Sequence, residues 1–194
     1  MKSVLLGFVF LMGTITLVNG QNAPQPLRTP PVDASGMDMT YFPSGYAQLK
    51  AQGRDAGKLT MRLIYSRPQK KGREMVGQTL PYGTWWRLGA NEATELTVFE
   101  PVTIGGKLIE KGRYTLSCIP NEKTWTIILN SETDIWGEGP SKYNAAKDVV
   151  RVEVPVEKLP EEVENFSMGF LKTPTGAGLL IAWEKNKLIM PITF

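Results

Sequence analysis

The sequence predicts an all-β fold, a mostly antiparallel β-sandwich of about nine to eleven short strands with minor helical turns. Three observations predict it. Short segments alternate apolar and polar residues with a period of two, Gly, Pro and Asn separate them at the spacing of sandwich turns, and helical periodicity is weak throughout. No internal repeat points to a propeller or a solenoid.

The elements follow in chain order. Residues 37–41 read as a first strand, and residues 44–52 as a short helical turn. In residues 58–66 (KLTMRLIYS), Leu59, Met61, Leu63 and Tyr65 share one face. Residues 95–100, 102–104 and 107–109 are short strand candidates. Residues 113–119 place Tyr114, Leu116 and Cys118 together, and Trp125, Ile127 and Leu129 repeat the pattern after an Asn121-Glu122-Lys123 connection. A second helical turn is expected over residues 141–147.

Residues 150–156 (VRVEVPV) set valines at every second position, with Arg151 and Glu153 facing water and Pro155 marking a strand end or an edge. Two further strands, 165–172 and 177–184, are joined by Thr173-Pro174-Thr175-Gly176. A turn at Lys185-Asn186-Lys187 is expected to lead into a last segment, 188–194.

Residues 1–20 carry one early charge, Lys2, an apolar run from Val4 to Leu17, and a small residue, Gly20. This is the pattern of a secretory signal peptide cleaved before Gln21, and the chain is expected to be exported to the periplasm or beyond. The apolar run is short and has no basic stop-transfer cluster after it, so no membrane span is expected in the mature chain. Residues 21–36 read as an extended Pro-rich tether, and residues 37–194 as a single sandwich domain.

With 22 basic and 19 acidic residues, one of the basic ones in the leader, the chain offers no electrostatic reason to bind nucleic acid or a membrane surface. It holds one cysteine and no histidine. An internal disulfide is therefore impossible, as are histidine-based triads, cysteine–histidine dyads and imidazole metal sites, and no cofactor is expected. Cys118, on an inward strand position, reads as a small core residue.

Three stretches could carry chemistry. Residues 66–73 (SRPQKKGR) gather Arg67, Lys70, Lys71 and Arg73 around Gly72, a set able to hold a carboxylate, sulfate or phosphate, or simply to solvate a loop. Residues 81–94 (PYGTWWRLGANEAT) place Trp85 and Trp86 on a turn-rich segment. Adjacent residues in extended backbone face opposite sides, so one indole can anchor the core while the other reaches the surface. Arg87, Asn91 and Glu92 supply a planar fork, an amide and a carboxylate, suited either to a hydroxyl-rich ligand or to an ion pair pinning the loop. Residues 130–137 (NSETDIWG) end in Trp136 and carry Glu132 and Asp134 at alternate positions, without the rest of a calcium loop.

Taken in order, Ser66-Arg67-Pro68 with Lys71-Gly72-Arg73, Pro81-Tyr82-Gly83 with Trp86-Arg87, and Gly89 through Thr94 resemble successive signatures of the exported bacterial family catalogued as domain of unknown function 2911. Gly112-Arg113-Tyr114, Ile119-Pro120, Trp125 with Ile128 and Asn130, and Trp136-Gly137 continue the pattern over roughly residues 37–194. The segment 44–57 departs from it and looks like an added connection. The resemblance implies export, typical of Bacteroidota, and carries over no particular reaction.

Three functional readings follow. The first is a non-enzymatic binding module for a carbohydrate or a small anionic ligand, using Arg67, Lys71, Arg73, Trp86, Arg87, Asn91, Glu92 and Trp136. The second is a structural or interaction protein of the cell envelope. The third is a carboxylate-based hydrolase pairing Glu92 with Asp134 or Glu74, which needs a defined separation between the two groups.

Overall fold

Two antiparallel sheets carry the fold. A computed structural model describes residues 28–194, with Asp33–Phe194 as one unit; the expected signal peptide, and the tether as far as residue 27, lie outside the described residues. The strands are β1 (Met37–Phe42), β2 (Met61–Ser66), β3 (Thr94–Val98), β4 (Val102–Ile104), β5 (Lys107–Ile109), β6 (Gly112–Pro120), β7 (Thr124–Asn130), β8 (Asp148–Pro155), β9 (Glu157–Thr173) and β10 (Gly176–Thr193). One sheet runs β1-β2-β3-β6-β7-β8 and the other β5-β4-β10-β9. The expected helical turns are α1 (Tyr46–Ala51) and two 3-10 turns, Pro140–Lys142 and Ala145–Lys147.

Alternation explains the core. Met61, Leu63 and Tyr65 of β2, Leu116 and Cys118 of β6, and Trp125 and Ile127 of β7 turn inward. They meet Phe166, Met168 and Phe170 of β9 and Leu179, Ile181 and Trp183 of β10. Fully burying a side chain of this size contributes roughly 1.5–3 kcal/mol. Cys118 has no exposed surface, and burial pushes its thiol pKa well up, which leaves it a core residue and not a nucleophile.

Polar pins fix the two layers in register. Tyr65 Oη donates to the Met168 carbonyl and accepts from the Met168 N–H, both at 2.9 Å. Pro155 ends β8, which is an edge strand, so its missing N–H costs no ladder bond.

Two expectations need correction. No turn forms at residues 185–187: β10 runs unbroken, and the expected break is a pair of register shifts flanking Glu184. Glu184 adopts φ 53° and turns its carboxylate inward, where it accepts from the N–H groups of Met75 (2.8 Å) and Val76 (3.0 Å). The polar run WEKNK is thus a bulge that ties the strand to a distant loop. Strand β9 also begins eight residues earlier than the sequence suggests, at Glu157. Its charged first half lies on a sheet edge, where charge is tolerated and deters pairing with another chain.

Candidate functional site

The site begins with the backbone of residue 86. Trp86 N–H donates to Cys118 O at 2.7 Å, and Cys118 N–H donates to Trp86 O at 2.8 Å. This bridge lays the segment alongside β6, beyond the end of β3. Extended backbone there sends the two indoles to opposite sides, as the sequence predicts. Trp86 is buried, stacks on Trp183 (5.4 Å between centroids, 20°) and donates from Nε1 to Gly89 O at 3.1 Å. Trp85 is half-buried and stacks on Tyr143 (5.3 Å, 22°).

After Arg87 the chain leaves the sheet through two left-handed residues, Leu88 (φ 55°) and Asn91 (φ 59°). The loop is held on its far side by a second bridge: Gly137 N–H donates to Asn91 O at 2.8 Å, and Ala93 N–H to Ile135 O at 3.1 Å. Arg87 reaches across and donates from Nη1 to Gly137 O. Gly137 is required by this crossing, because a Cβ there would strike the Arg87 side chain and lie 2.9 Å from Asn91 O.

A cleft of about 380 Å³ opens beside this crossing. Met75, Leu80, Pro81, Trp85 and Pro140 form apolar walls, the buried Trp86 and Trp183 lie at its base, and Arg73 and Arg87 bring positive charge. Arg73 spends its donors on backbone carbonyls, Nε on Lys70 O and Nη2 on Gln69 O, both at 2.9 Å. The Nε–H of Arg87 is buried with no acceptor. Arg67, Lys70, Arg113 and Arg151 each have a carboxylate partner, whereas Arg73 and Arg87 have none among the described residues. Glu138, the carboxylate that also lines the cleft, is paired with Lys142.

The remaining predicted residues are dispersed. All three side-chain nitrogens of Arg67 are engaged: Nε donates to Phe166 O (3.2 Å), Nη1 to Asp38 (3.0 Å) and Nη2 to Ser167 Oγ (2.9 Å). Lys71 is exposed and is tied by its backbone N–H to Glu164 at 2.7 Å. Asn91 donates from Nδ2 to Asp33 at 2.7 Å.

Glu92 and Trp136 share a different place, a depression of about 620 Å³ on the outer face of the six-stranded sheet. Their backbones form a β-bridge, and Trp136 is 56% exposed. Arg113 spans Glu95 (3.1 Å) and Asp134 (2.8 Å) in the same depression. Its hydrogen bond holds the Asp134 carboxyl below the usual carboxylate range, the opposite of what a general acid needs. Glu74, the other carboxylate considered for hydrolysis, lines a separate pocket with Glu184.

Sequence reasoning misses the walls supplied by Met75, Leu80, Pro140 and Trp183, which come from three distant segments. The only local signal was the proximity of Pro140 to the Trp136 loop. Among the described residues, no cluster of Asp, Glu or Cys is placed to hold a metal ion, and no helix is long and apolar enough to cross a membrane.

An antiparallel β-sandwich with a ligand-sized cleft, apolar in its walls and cationic at two points, defines the class of protein. More particularly, the chain belongs to the family described as "Protein of unknown function (DUF2911)", whose model matches residues 47–192. The matched range takes in residues 47–57 of the connection set apart in the sequence. No curated protein and no solved structure matches the chain.

Proposed function

We propose that the protein is an exported, non-enzymatic binding module whose cleft takes a small anion with an apolar body, such as an aromatic or short aliphatic carboxylate. The carrying observation is the guanidinium of Arg87, which has a buried Nε–H without an acceptor and no carboxylate partner among the described residues. Its Nη2 has no hydrogen-bond partner among the described residues and is not buried, so an anionic oxygen in the cleft can take it in a charge-assisted bond, worth about 1.5–3 kcal/mol. Arg73 supports the same charge, and the cleft volume falls in the range of small-molecule sites. The apolar walls favour a ligand with a hydrocarbon part over bare sulfate or phosphate.

Export rests on residues 1–20 and is checked by the N-terminal sequence of the secreted chain, which should start at Gln21. The ligand reading is tested by thermal shift and calorimetry with benzoate, phenylacetate and octanoate, with sulfate as the anion lacking an apolar body. At least one carboxylate should raise the Tm and bind saturably. Arg87→Ala should weaken it by about tenfold or more, and Arg87→Lys should restore little, since an ammonium cannot bond Gly137 O and the ligand together in the plane of a guanidinium. No shift with any carboxylate, or equal binding by Arg87→Ala, overturns the reading.

A further inference from the structure

The outer face of the six-stranded sheet holds a second feature, which shares Trp85 with the cleft. Along β6, Leu116 and Cys118 point into the core, so Thr115 and Ser117 face outward. The chain over residues 131–144 covers them, and a cavity of about 30 Å³ remains, lined by Trp85, Ser117, Asn130, Trp136 and Tyr143 among others. That is close to the volume of one water molecule or one hydroxyl-bearing carbon.

The cavity is chemically incomplete. Trp85 Nε1 and Ser117 Oγ are both buried without a hydrogen-bond partner among the described residues, and Ser117 is only 1% exposed. The other polar groups there are engaged: Asn130 Nδ2 donates to Asn144 O and Asp148, and Thr115 Oγ1 donates to Glu132 O. Both side chains line the cavity, and a hydroxyl is the kind of neutral group whose oxygen accepts from an indole N–H and exchanges a hydrogen bond with a serine.

Trp136 lines this cavity and also the wide depression that holds Glu92, Arg113 and Asp134. The exposed indole can stack on the face of a sugar ring, and the carboxylates and guanidinium beside it can bond equatorial hydroxyls. The depression carries three carboxylates, Glu92, Glu95 and Asp134, against two guanidinia, Arg62 and Arg113. That balance disfavours an anion and suits a neutral polyol.

We propose that this face is a second site, for a neutral hexopyranose-based glycan, with one ring on Trp136 and its exocyclic hydroxymethyl group in the cavity that Trp85 and Ser117 help to line. A pentopyranose lacks that group and leaves both donors unsatisfied. The test is calorimetry on the full chain with cellohexaose, mannohexaose and xylohexaose. At least one hexose oligomer should bind about tenfold or more tightly than xylohexaose. Ser117→Ala should weaken that binding by about tenfold without lowering the Tm, because it removes a group that has no partner in the free protein. Trp136→Ala should abolish binding. Equal affinity for xylohexaose, no effect of Ser117→Ala, or no binding of any of the three oligosaccharides overturns the proposal; the last two would leave the cavity holding water alone.

Discussion

At the scale of single residues, Gly137 and Arg87 form the tightest constraint around the cleft. The Gly137 carbonyl receives Arg87, its N–H reaches Asn91 O, and its missing Cβ makes room for the Arg87 stem. Gly137→Ala is therefore expected to destabilise by about 1–3 kcal/mol, the usual range for forcing an extra carbon into a packed site. Because Asn91 O is backbone, the clash cannot be relieved by a rotamer change alone. Urea unfolding checks this, and a stability equal to the parent would show that the loop yields freely. Trp85 and Trp86 make a related point. Their opposite orientations follow from extended backbone and were readable from adjacency, whereas which indole entered the core was set by Trp183, almost one hundred residues later.

At the scale of elements, Arg67 joins the end of β2 to β1 and β9. Its three nitrogens go in three directions, to Asp38, Phe166 O and Ser167. Arg67→Ala is expected to cost about 1–3 kcal/mol, since it leaves the Phe166 carbonyl and Ser167 short of donors, and Arg67→Lys should recover less than half of the loss because an ammonium cannot span the same fork. Carboxylate binding at the cleft should persist in the folded fraction, which separates this clamp from Arg87; lost binding with unchanged stability would refute the clamp. The β9–β10 hairpin gives the parallel lesson for strands. Residues 165–172 and 177–184 carry a clear period of two, but 157–164 and 185–187 are polar and read as breaks. The register shifts at Glu184 and the edge position of β9 let polar sequence continue as strand.

At the scale of the whole molecule, charge pairs across the surface set the response to acid. Glu100 is held below its ordinary 4.5 by hydrogen bonds from Lys58 and Lys111, Glu162 below the same value by Lys70, and Asp134 below 3.8 by Arg113. Each carboxyl binds its proton less readily folded than unfolded, so the pairs stabilise fully above about pH 4.5 and lose their contribution as pH falls through the lowered folded values. Glu162 and Asp134 are exposed and Glu100 is half-buried between two exposed lysines, so the loss should be small, additive and largely removed by about 1 M salt. With no histidine to titrate, stability should be flat from about pH 6 to 7. At the alkaline end, burial and then the hydrogen bond to Asp148 push the Tyr143 phenol up to about 12. Its folded form keeps the proton longer, so that contribution falls as pH rises from 10 towards 12. Unfolding midpoints measured across pH, at low and high salt, check both limbs; an acid limb unchanged by salt would exclude the surface pairs as its cause.

The sequence by itself determined the fold class, the family, the inward position of Cys118, the opposed pair of tryptophans and the exclusion of imidazole chemistry. These are local or compositional properties: a period of two is written into each strand, and an absent residue type stays absent in any fold. Only the tertiary structure decided which cations are paired and which are free. Arg67 meets Ser167 across 100 residues, and Glu184 meets Met75 across 109. Of the eight residues marked out as ligand candidates, Trp86 joins a core stack, Arg67 an interlayer clamp, Arg73 and Arg87 a cationic cleft, and Glu92 and Trp136 an outer face, while Lys71 and Asn91 bond Glu164 and Asp33 outside all four. Charges find partners in space and not along the chain, and that is why a contiguous signature disperses into separate sites once folded.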